Sequence, residues 1–260
     1  MRQIKRNSLK KILNKKNIVC LTAYTSPIAK LADKFADVIL VGDSLGPVLY
    51  GFESTRNVDL NMMIKHAKAV VNNTKNAFIV VDMPYGSYEH SKDKALQNAK
   101  EILASTGAMA VKLEGGEKIQ NTIKFLTKNK IKVMGHLGML PQSLVGKPRV
   151  FGKTKKQQEQ LFNDIISLQN SGVFAVVIEC TYRSVVEQLI KISKIPLIGI
   201  GASPNCAGQI VVTEDILGMT KFSARFSKKY FDFFKEAEKS LKKYSDDIKN
   251  KKFPTKNQCY

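Results

Sequence analysis

The sequence lacks the patterns that mark membrane-spanning, secreted and zinc-binding proteins. No apolar run approaches the roughly 18 residues that a transmembrane helix needs. Residues Met1–Arg6 contain no apolar core of a secretory signal, which predicts a cytoplasmic protein. The four cysteines form no Cys-x-x-Cys pair and show no metal-ligand spacing. Neither a disulfide framework nor a zinc site is therefore predicted.

Arginine is also scarce, although the chain is strongly basic. The net charge is +20, from 42 basic and 22 acidic residues, yet only six of the basic residues are arginine. A nucleic-acid-binding protein more often combines arginine and aromatic residues on one face. We interpret the lysines as solvated helix surfaces and predict neither a nucleic-acid nor a membrane partner. A basic protein of the fold predicted below that binds nucleic acid is the less favoured of two alternative functions.

Short apolar, β-rich runs alternate with helical patterns along most of the chain. Continuous apolar strands between amphipathic helices are typical of a parallel sheet that is covered by helices. Eight such runs in 260 residues predict an α/β fold, a (β/α)₈ TIM barrel. An open, doubly wound sheet is less favoured, because no Gly-x-Gly-x-x-Gly motif follows the first strand. The predicted strands are 18–24, 38–44, 78–84, 110–115, 132–138, 175–180, 196–201 and 209–212.

The chain shows no linker or repeat that would divide it. We therefore predict that residues 1–260 form a single barrel domain. Residues 1–16 are a basic N-terminal segment. Residues 222–251, after the eighth strand, are predicted to be an additional C-terminal helical segment, highly charged and apolar on one side.

Polar side chains recur where the predicted strands end. Successive side chains of a strand point to opposite faces, so residues two apart share a face. If the apolar members of each set fill the barrel, the polar members line its C-terminal end, where barrel enzymes have their active sites. The sets are Ile39, Val41 and Asp43; Val80 and Asp82; Lys112 and Glu114; Met134 and His136; and Val177 and Glu179.

Three of these polar residues suggest a metal site. Asp43, Asp82 and Glu114 end three consecutive strands and would repel one another unless a cation neutralised them. Carboxylate ligands without cysteine suit Mg²⁺. An isolated Asp after a strand more often caps a turn. The recurrence of three carboxylates at one end of the predicted barrel favours a metal site over separate turn caps.

The remaining polar residues fit an enzyme that acts on an anion. Lys112 and His136 supply positive or hydrogen-bonding groups for such a substrate, and Glu179 is free to act as a general base. Taken alone, His136 is better explained as a core histidine and Glu179 as a helix N-terminal anchor. Together they predict a catalytic centre.

At these residues the sequence resembles the ketopantoate hydroxymethyltransferase (3-methyl-2-oxobutanoate hydroxymethyltransferase) family. Each matching motif is weak alone, but together, in the family's order from about Ile18 to Tyr230, they are highly specific. The motifs are Leu21–Tyr24, Val41–Gly46, Asp82–Tyr88, Val111–Gly116, Gly135–Ser143, Ile178–Cys180 and Gly199–Ala202.

The resemblance implies an enzyme of pantothenate (coenzyme A precursor) biosynthesis. Such an enzyme transfers a hydroxymethyl (one-carbon) group from 5,10-methylenetetrahydrofolate, its co-substrate, to 3-methyl-2-oxobutanoate, giving 2-dehydropantoate. The resemblance also implies one Mg²⁺ per subunit, which stabilises an enolate of the oxo acid. The implied partners are the oxo acid, the folate and further copies of the chain in a homo-oligomer, typically a decamer.

The resemblance also assigns roles to residues of this chain. Asp43 and Asp82 look like direct Mg²⁺ ligands, with Glu114 a ligand directly or through water. Glu179 looks like the catalytic proton acceptor. The implied substrate-binding residues are Asp43, Ser44, Asp82, Lys112 and His136.

Two departures from the family pattern concern the rim of the site. The usual Asp-Gly-Gln after the seventh strand is Ala207–Gln209 here, and the loop after the fifth strand, Pro148–Lys153, also differs. Neither touches the metal, lysine or base positions. The closer alternative function is another Mg²⁺-dependent oxo-acid lyase or mutase of the isocitrate lyase or phosphonopyruvate mutase kind. Those enzymes usually carry a Lys-Lys-Cys-Gly-His-type loop, which this sequence lacks.

Overall fold

A computed structural model describes residues 6–144, 149–221 and 224–260. Within these residues, parallel strands form a closed barrel in which each strand pairs with its sequence neighbours and the last pairs with the first. The predicted (β/α)₈ barrel is confirmed. The strands are β1 (Ile18–Thr22), β2 (Val38–Val41), β3 (Phe78–Asp82), β4 (Ala110–Glu114), β5 (Val133–Gly138), β6 (Ala175–Glu179), β7 (Leu197–Ile200) and β8 (Gly208–Val211).

Helices cover the outside of the barrel. Local signals define their ends: α4 begins after Ser91, whose hydroxyl accepts the N–H of Lys94, and stops at Gly107, which has a φ of 77°. Between β7 and β8, described residues 201–207 form turns and bends instead of a helix. The helices are α1 (Leu9–Leu13), α2 (Ser26–Ala32), α3 (Leu60–Val71), α4 (Lys92–Thr106), α5 (Gln120–Lys128), α6 (Lys155–Asn170) and α7 (Arg183–Ile192).

The core has two layers, one inside the barrel and one between strands and helices. The inner layer includes Ile12 of α1 and Ile18, the first residue of β1. The outer layer is larger and joins the outward faces of the strands to the helices. Strands that are buried on both faces explain the continuous apolar runs in the sequence. The inner layer also includes Val80, Ala110, Met134 and Val177, as the alternation in β3 to β6 predicts.

Strand β2 does not follow its predicted alternation. Val38 and Leu40 belong to the inner layer, whereas Ile39 and Val41 belong to the outer layer. The prediction that Ile39, Val41 and Asp43 share an inward face was therefore wrong. Because β2 ends at Val41 and a turn follows, Asp43 reaches the mouth of the barrel from that turn.

The chain divides into two compact units, the first ending at Val212 and the second comprising Thr213–Tyr260. The second contains α8 (Thr213–Ile216) and α9 (Phe233–Lys249). The predicted helical segment 222–251 is thus helical only from Phe233, and described residues 224–232 are irregular.

Parts of two predicted segments lie outside the described residues: residues 1–5 of the basic N-terminal segment and residues 222 and 223 of the C-terminal segment. The single-domain organisation stays a prediction. Among the residues that the structure describes, no helix is long and apolar enough to cross a bilayer.

Candidate active site

A cavity of about 110 Å³, here called the axial cavity, lies at the C-terminal ends of the strands. Its other walls include the apolar side chains of Leu40, Val177 and Ile210. Its lining therefore combines charged and apolar side chains. All of the site residues predicted from the sequence line it, namely Asp43, Ser44, Asp82, Lys112, Glu114, His136 and Glu179.

Strand register brings the charged residues into contact. Asp82 of β3 is paired with Lys112 of β4, and the Lys112 Nζ lies 3.0 Å from the Asp82 Oδ1. Glu114 of β4 is paired with His136 of β5, and the His136 Nδ1 lies 3.3 Å from the Glu114 Oε1. On the other side of the imidazole ring, Nε2 lies 3.1 Å from the Glu179 Oε2. The Lys112 Nζ also lies 3.3 Å from the His136 Nδ1, so the side chains of β3 to β6 form one continuous chain of polar contacts.

Burial and mutual repulsion perturb the carboxylates of this chain. Burial, followed by the charges of Asp82 and Glu114, raises the pKa of Asp43 to about 8, although Lys112 and Gln142 act in the opposite direction. Burial also raises the pKa of Asp82, against the lowering effect of Lys112. Lys112 itself is 4% exposed. Burial lowers its pKa, but the surrounding carboxylates outweigh burial and raise it overall, so the ammonium stays charged.

The surroundings of His136 also shift its pKa. Burial and Lys112 lower its pKa, but hydrogen bonding to Glu114 and Glu179 outweighs them and raises the pKa to about 9. An imidazolium donates from both ring nitrogens. The Nδ1 of His136 also lies 3.3 Å from the Lys112 Nζ, and its Nε2 faces Glu179 at 3.1 Å without a well-aligned hydrogen bond, so His136 lies between Lys112 and the predicted base.

Gln142 was missed by the sequence reasoning, although it lies in the quoted motif Gly135–Ser143. It is 1% exposed. Its Nε2 donates to the Asp43 Oδ2 at 2.7 Å, and its backbone N–H donates to the Glu114 Oε2 at 3.0 Å. Its Oε1 accepts the Tyr88 hydroxyl at 2.6 Å. Gln142 therefore connects two of the predicted metal ligands.

Three residues with hydroxyl groups also line the axial cavity, namely Thr22, Ser44 and Thr55. The Ser44 Oγ lies 2.6 Å from the hydroxyl of Tyr24, which is fully buried. Thr55 lines the cavity from a short 3₁₀ turn, Thr55–Asn57, and its buried Oγ1 has no hydrogen-bond partner. Sequence reasoning missed Thr55, since it lies in no predicted strand.

The backbone around Glu179 is tightly constrained. Cys180 has a φ of 44°, a left-handed conformation uncommon for a residue with a side chain. Beside it, Gly138 has a φ of 89°, and a Cβ there would overlap the Glu179 carbonyl oxygen. The Glu179 carbonyl accepts the N–H of Met139 at 2.9 Å. Both strands therefore turn sharply just beyond the predicted base.

The carboxylates fit Mg²⁺ as a partial ligand set. Among the described residues, no group of three or more His, Cys, Asp or Glu side chains is arranged to hold a metal ion. Mg²⁺ usually takes one or two carboxylates and completes its shell with water and substrate oxygens. Asp43 and Asp82 fit that requirement, since the buried Asp82 Oδ1 makes an ion pair with Lys112 but no hydrogen bond. Glu114 is already bound by Gln142 and His136, which suits a water-mediated role.

Comparison with known proteins gives a consistent result. A family described as ketopantoate hydroxymethyltransferase matches residues 3–256. A 3-methyl-2-oxobutanoate hydroxymethyltransferase of Pelagibacter ubique (strain HTCC1062) is 47% identical over 257 residues, covering 96% of this chain and 99% of the relative. One from Rhizobium etli (strain ATCC 51251 / DSM 11541 / JCM 21823 / NBRC 15573 / CFN 42) is 47% identical over 248 residues, covering 94% and 91%.

A solved structure shares the fold at much lower identity. Phosphoenolpyruvate phosphomutase from Streptomyces platensis subsp. rosaceus superposes with a TM-score of 0.62 at 10% identity, covering 93% of this chain and 86% of that one. At such low identity the likeness concerns the barrel architecture alone.

Proposed function

We propose that the axial cavity carries out the reaction of the ketopantoate hydroxymethyltransferase family, to which the chain belongs. The protein is an enzyme with small-molecule substrates, a hydroxymethyltransferase of pantothenate biosynthesis. The proposed substrates are 3-methyl-2-oxobutanoate and 5,10-methylenetetrahydrofolate. The observation that carries the proposal is one small cavity that combines a buried ammonium, a carboxylate base and an apolar wall.

The axial cavity matches the oxo acid in size and polarity. The substrate has an anionic end, with carboxylate and keto oxygens, and a branched hydrocarbon end. Lys112, which stays charged when buried, suits the anionic end, and the hydroxyl of Ser44 can donate to it. Leu40, Val177 and Ile210 suit the hydrocarbon end. Bound in this direction, the oxo acid presents its C3 atom between the two walls.

Asp43 and Asp82 would hold Mg²⁺, with Glu114 acting through water. When bound, the cation supplies positive charge to the keto and carboxylate oxygens and so acidifies the C3 proton. Lys112 contributes positive charge to the same oxygens, and its effect is large because its ammonium group is buried. Gln142 keeps the Asp43 and Glu114 carboxylates in fixed positions.

Glu179 is the proposed base. Its side chain is 14% exposed, compared with 2% for Glu114, so it is the more accessible of the two carboxylates that contact His136. It takes the C3 proton, and the resulting carbanion attacks the methylene carbon of the folate. A new C3–carbon bond forms and both carbon–nitrogen bonds of the methylene group break. Water supplies the hydroxyl group, and the two folate nitrogens take up one proton from Glu179 and one from water, so that tetrahydrofolate leaves. His136 steadies the Glu179 carboxylate during proton removal.

The proposal is tested by incubating the purified protein with both substrates and Mg²⁺ and measuring 2-dehydropantoate by mass spectrometry. We expect product that depends on the oxo acid, the folate and the metal. Turnover of isocitrate or phosphonopyruvate without any 2-dehydropantoate would instead support the lyase or mutase alternative. The cytoplasmic location and the homo-oligomer stay predictions.

A further inference from the structure

A second, larger cavity adjoins the axial cavity. Its volume is about 640 Å³, and it is here called the lateral cavity. The two cavities share Glu114 in their walls. The lateral cavity extends from the ends of β4 and β5 to helix α6, and apart from Glu114 it contains none of the predicted site residues.

Two carboxylates of the lateral cavity retain acceptor capacity. The Glu89 Oε2 accepts the N–H of Tyr88 at 3.1 Å, whereas its Oε1 is buried and has no hydrogen-bond partner. The Asp164 Oδ1 accepts the N–H of Glu117 at 2.8 Å and the side-chain amide of Gln160 at 3.0 Å. A buried acceptor without a donor is costly. A ligand with N–H groups would remove that cost.

The backbone at the end of β4 makes room for the second carboxylate. A Cβ at Gly116 would overlap the carboxylate of Asp164. The glycine therefore lets a side chain from α6 lie directly against the end of β4, the strand that carries Glu114 into the axial cavity.

The other walls of the lateral cavity suit a flat ring. Leu137, Leu140 and Leu161 contribute apolar surface. Lys118 and His90, which are both exposed, also line the cavity, so that it carries basic side chains at its solvent side. The cavity thus offers an apolar interior, carboxylate acceptors and positive or neutral polar groups at the solvent side.

We propose that the lateral cavity binds the pterin ring of the one-carbon donor, with Glu89 and Asp164 accepting hydrogen bonds from its ring N–H and amino groups. This inference rests on the proposed function, because transfer requires the donor's methylene carbon beside C3 of the oxo acid. The axial cavity, at about 110 Å³, is much smaller than the lateral cavity, at about 640 Å³, so the larger donor suits the lateral cavity. The lateral cavity shares Glu114 in its wall with the axial cavity, so a ring bound there would lie next to the oxo acid.

Two conservative substitutions test the proposal, Glu89→Gln and Asp164→Asn. Each amide oxygen can still accept the existing backbone hydrogen bond, but the free carboxylate acceptor is lost. We expect the Kd for tetrahydrofolate, measured by anaerobic calorimetry, and the KM for the methylene donor to rise about tenfold, the order expected for a hydrogen bond to a charged group. The KM for the oxo acid should not move.

Glu159→Gln is the matched control, since Glu159 is an exposed carboxylate on the same helix and does not line the cavity. Unchanged Kd and KM values for the folates in both test variants would overturn the proposal, as would equal weakening by the control. Tetrahydrofolate binding is measured without the reaction. Its loss in the test variants would therefore support the proposal even if transfer activity were absent, so the two proposals fail separately.

Discussion

The axial and lateral cavities are neighbours, but they are built differently. The axial cavity is lined by side chains of paired strands, such as Asp82 and Lys112, whose positions follow from the register. The lateral cavity takes Glu89 from the connection after β3 and Asp164 from α6. The axial cavity holds charged groups in contact with one another. The lateral cavity, in contrast, leaves the Glu89 Oε1 without a hydrogen-bond donor. This difference suits a small substrate that is activated in place and a large substrate that enters and leaves.

The strongest test of these separate roles of the two cavities is the substitution Glu179→Gln. Removing a general base should slow C3 proton exchange by roughly 10²- to 10⁴-fold. Binding of the oxo acid in the presence of Mg²⁺ and binding of tetrahydrofolate should both persist, because the amide keeps the shape of the side chain. Exchange is measured by NMR in D₂O and binding by calorimetry. Retained exchange would eliminate Glu179 as the base.

Lys112→Met should mainly affect the axial cavity and the stability of the folded protein. Removing one partner of a buried ion pair leaves the other charge uncompensated, so we expect the free energy of unfolding to fall by about 3 kcal/mol. Urea denaturation without metal measures this loss. Saturating Mg²⁺ should restore part of it by neutralising Asp43 and Asp82. A variant as stable as the parent would show that the ammonium does not compensate the carboxylates.

Gln142→Leu tests whether the Asp43 and Glu114 carboxylates need the hydrogen bonds of Gln142 to keep their positions. Loss of its hydrogen bonds to Asp43 and Glu114 should lower Mg²⁺ affinity and C3 exchange by about 10- to 100-fold, as for other groups that orient metal ligands. Metal titration of exchange gives both values. The control is Gln97→Leu, on the exposed surface of α4. Equal effects of the two substitutions would contradict a specific role for Gln142.

The smallest expected effect is that of Ser91→Ala, outside both cavities. The variant loses the hydroxyl that caps α4, which should cost about 1 kcal/mol of stability. Thermal unfolding measures the cost. The KM values for the oxo acid and the folate should both be unchanged; a change in either would mean that α4 capping is coupled to the cavities.

Much of the axial cavity could be predicted because strand alternation carries spatial information. In β3 to β6, one apolar residue inside the barrel indicated that the residue two positions later also points inward. The same logic failed for β2. It ends at Val41, and Asp43 enters the site from the following turn, where alternation no longer applies. Asp43 does line the axial cavity, but the reason given for its position did not hold, and its role stays a prediction.

Residues outside strands could not be located in this way. Thr55 and Gln142 lie in loops, and their places depend on how separate connections fold over the barrel. The lateral cavity depends on contacts such as that between Gly116 and Asp164, which lie far apart in the sequence. No local pattern encodes such a contact. The C-terminal segment shows a related limit, since its apolar residues predicted a helix beginning well before Phe233.

Proton exchange at C3 of 3-methyl-2-oxobutanoate, with Mg²⁺ but without any folate, tests the central claim most directly. If the axial cavity binds and activates the oxo acid by itself, the unmodified protein should exchange the C3 proton for deuterium with the lateral cavity empty. Glu89→Gln should exchange at the same rate. Exchange that appears only when tetrahydrofolate is added, or no exchange at all, would contradict the claim that the axial cavity binds and activates the oxo acid by itself.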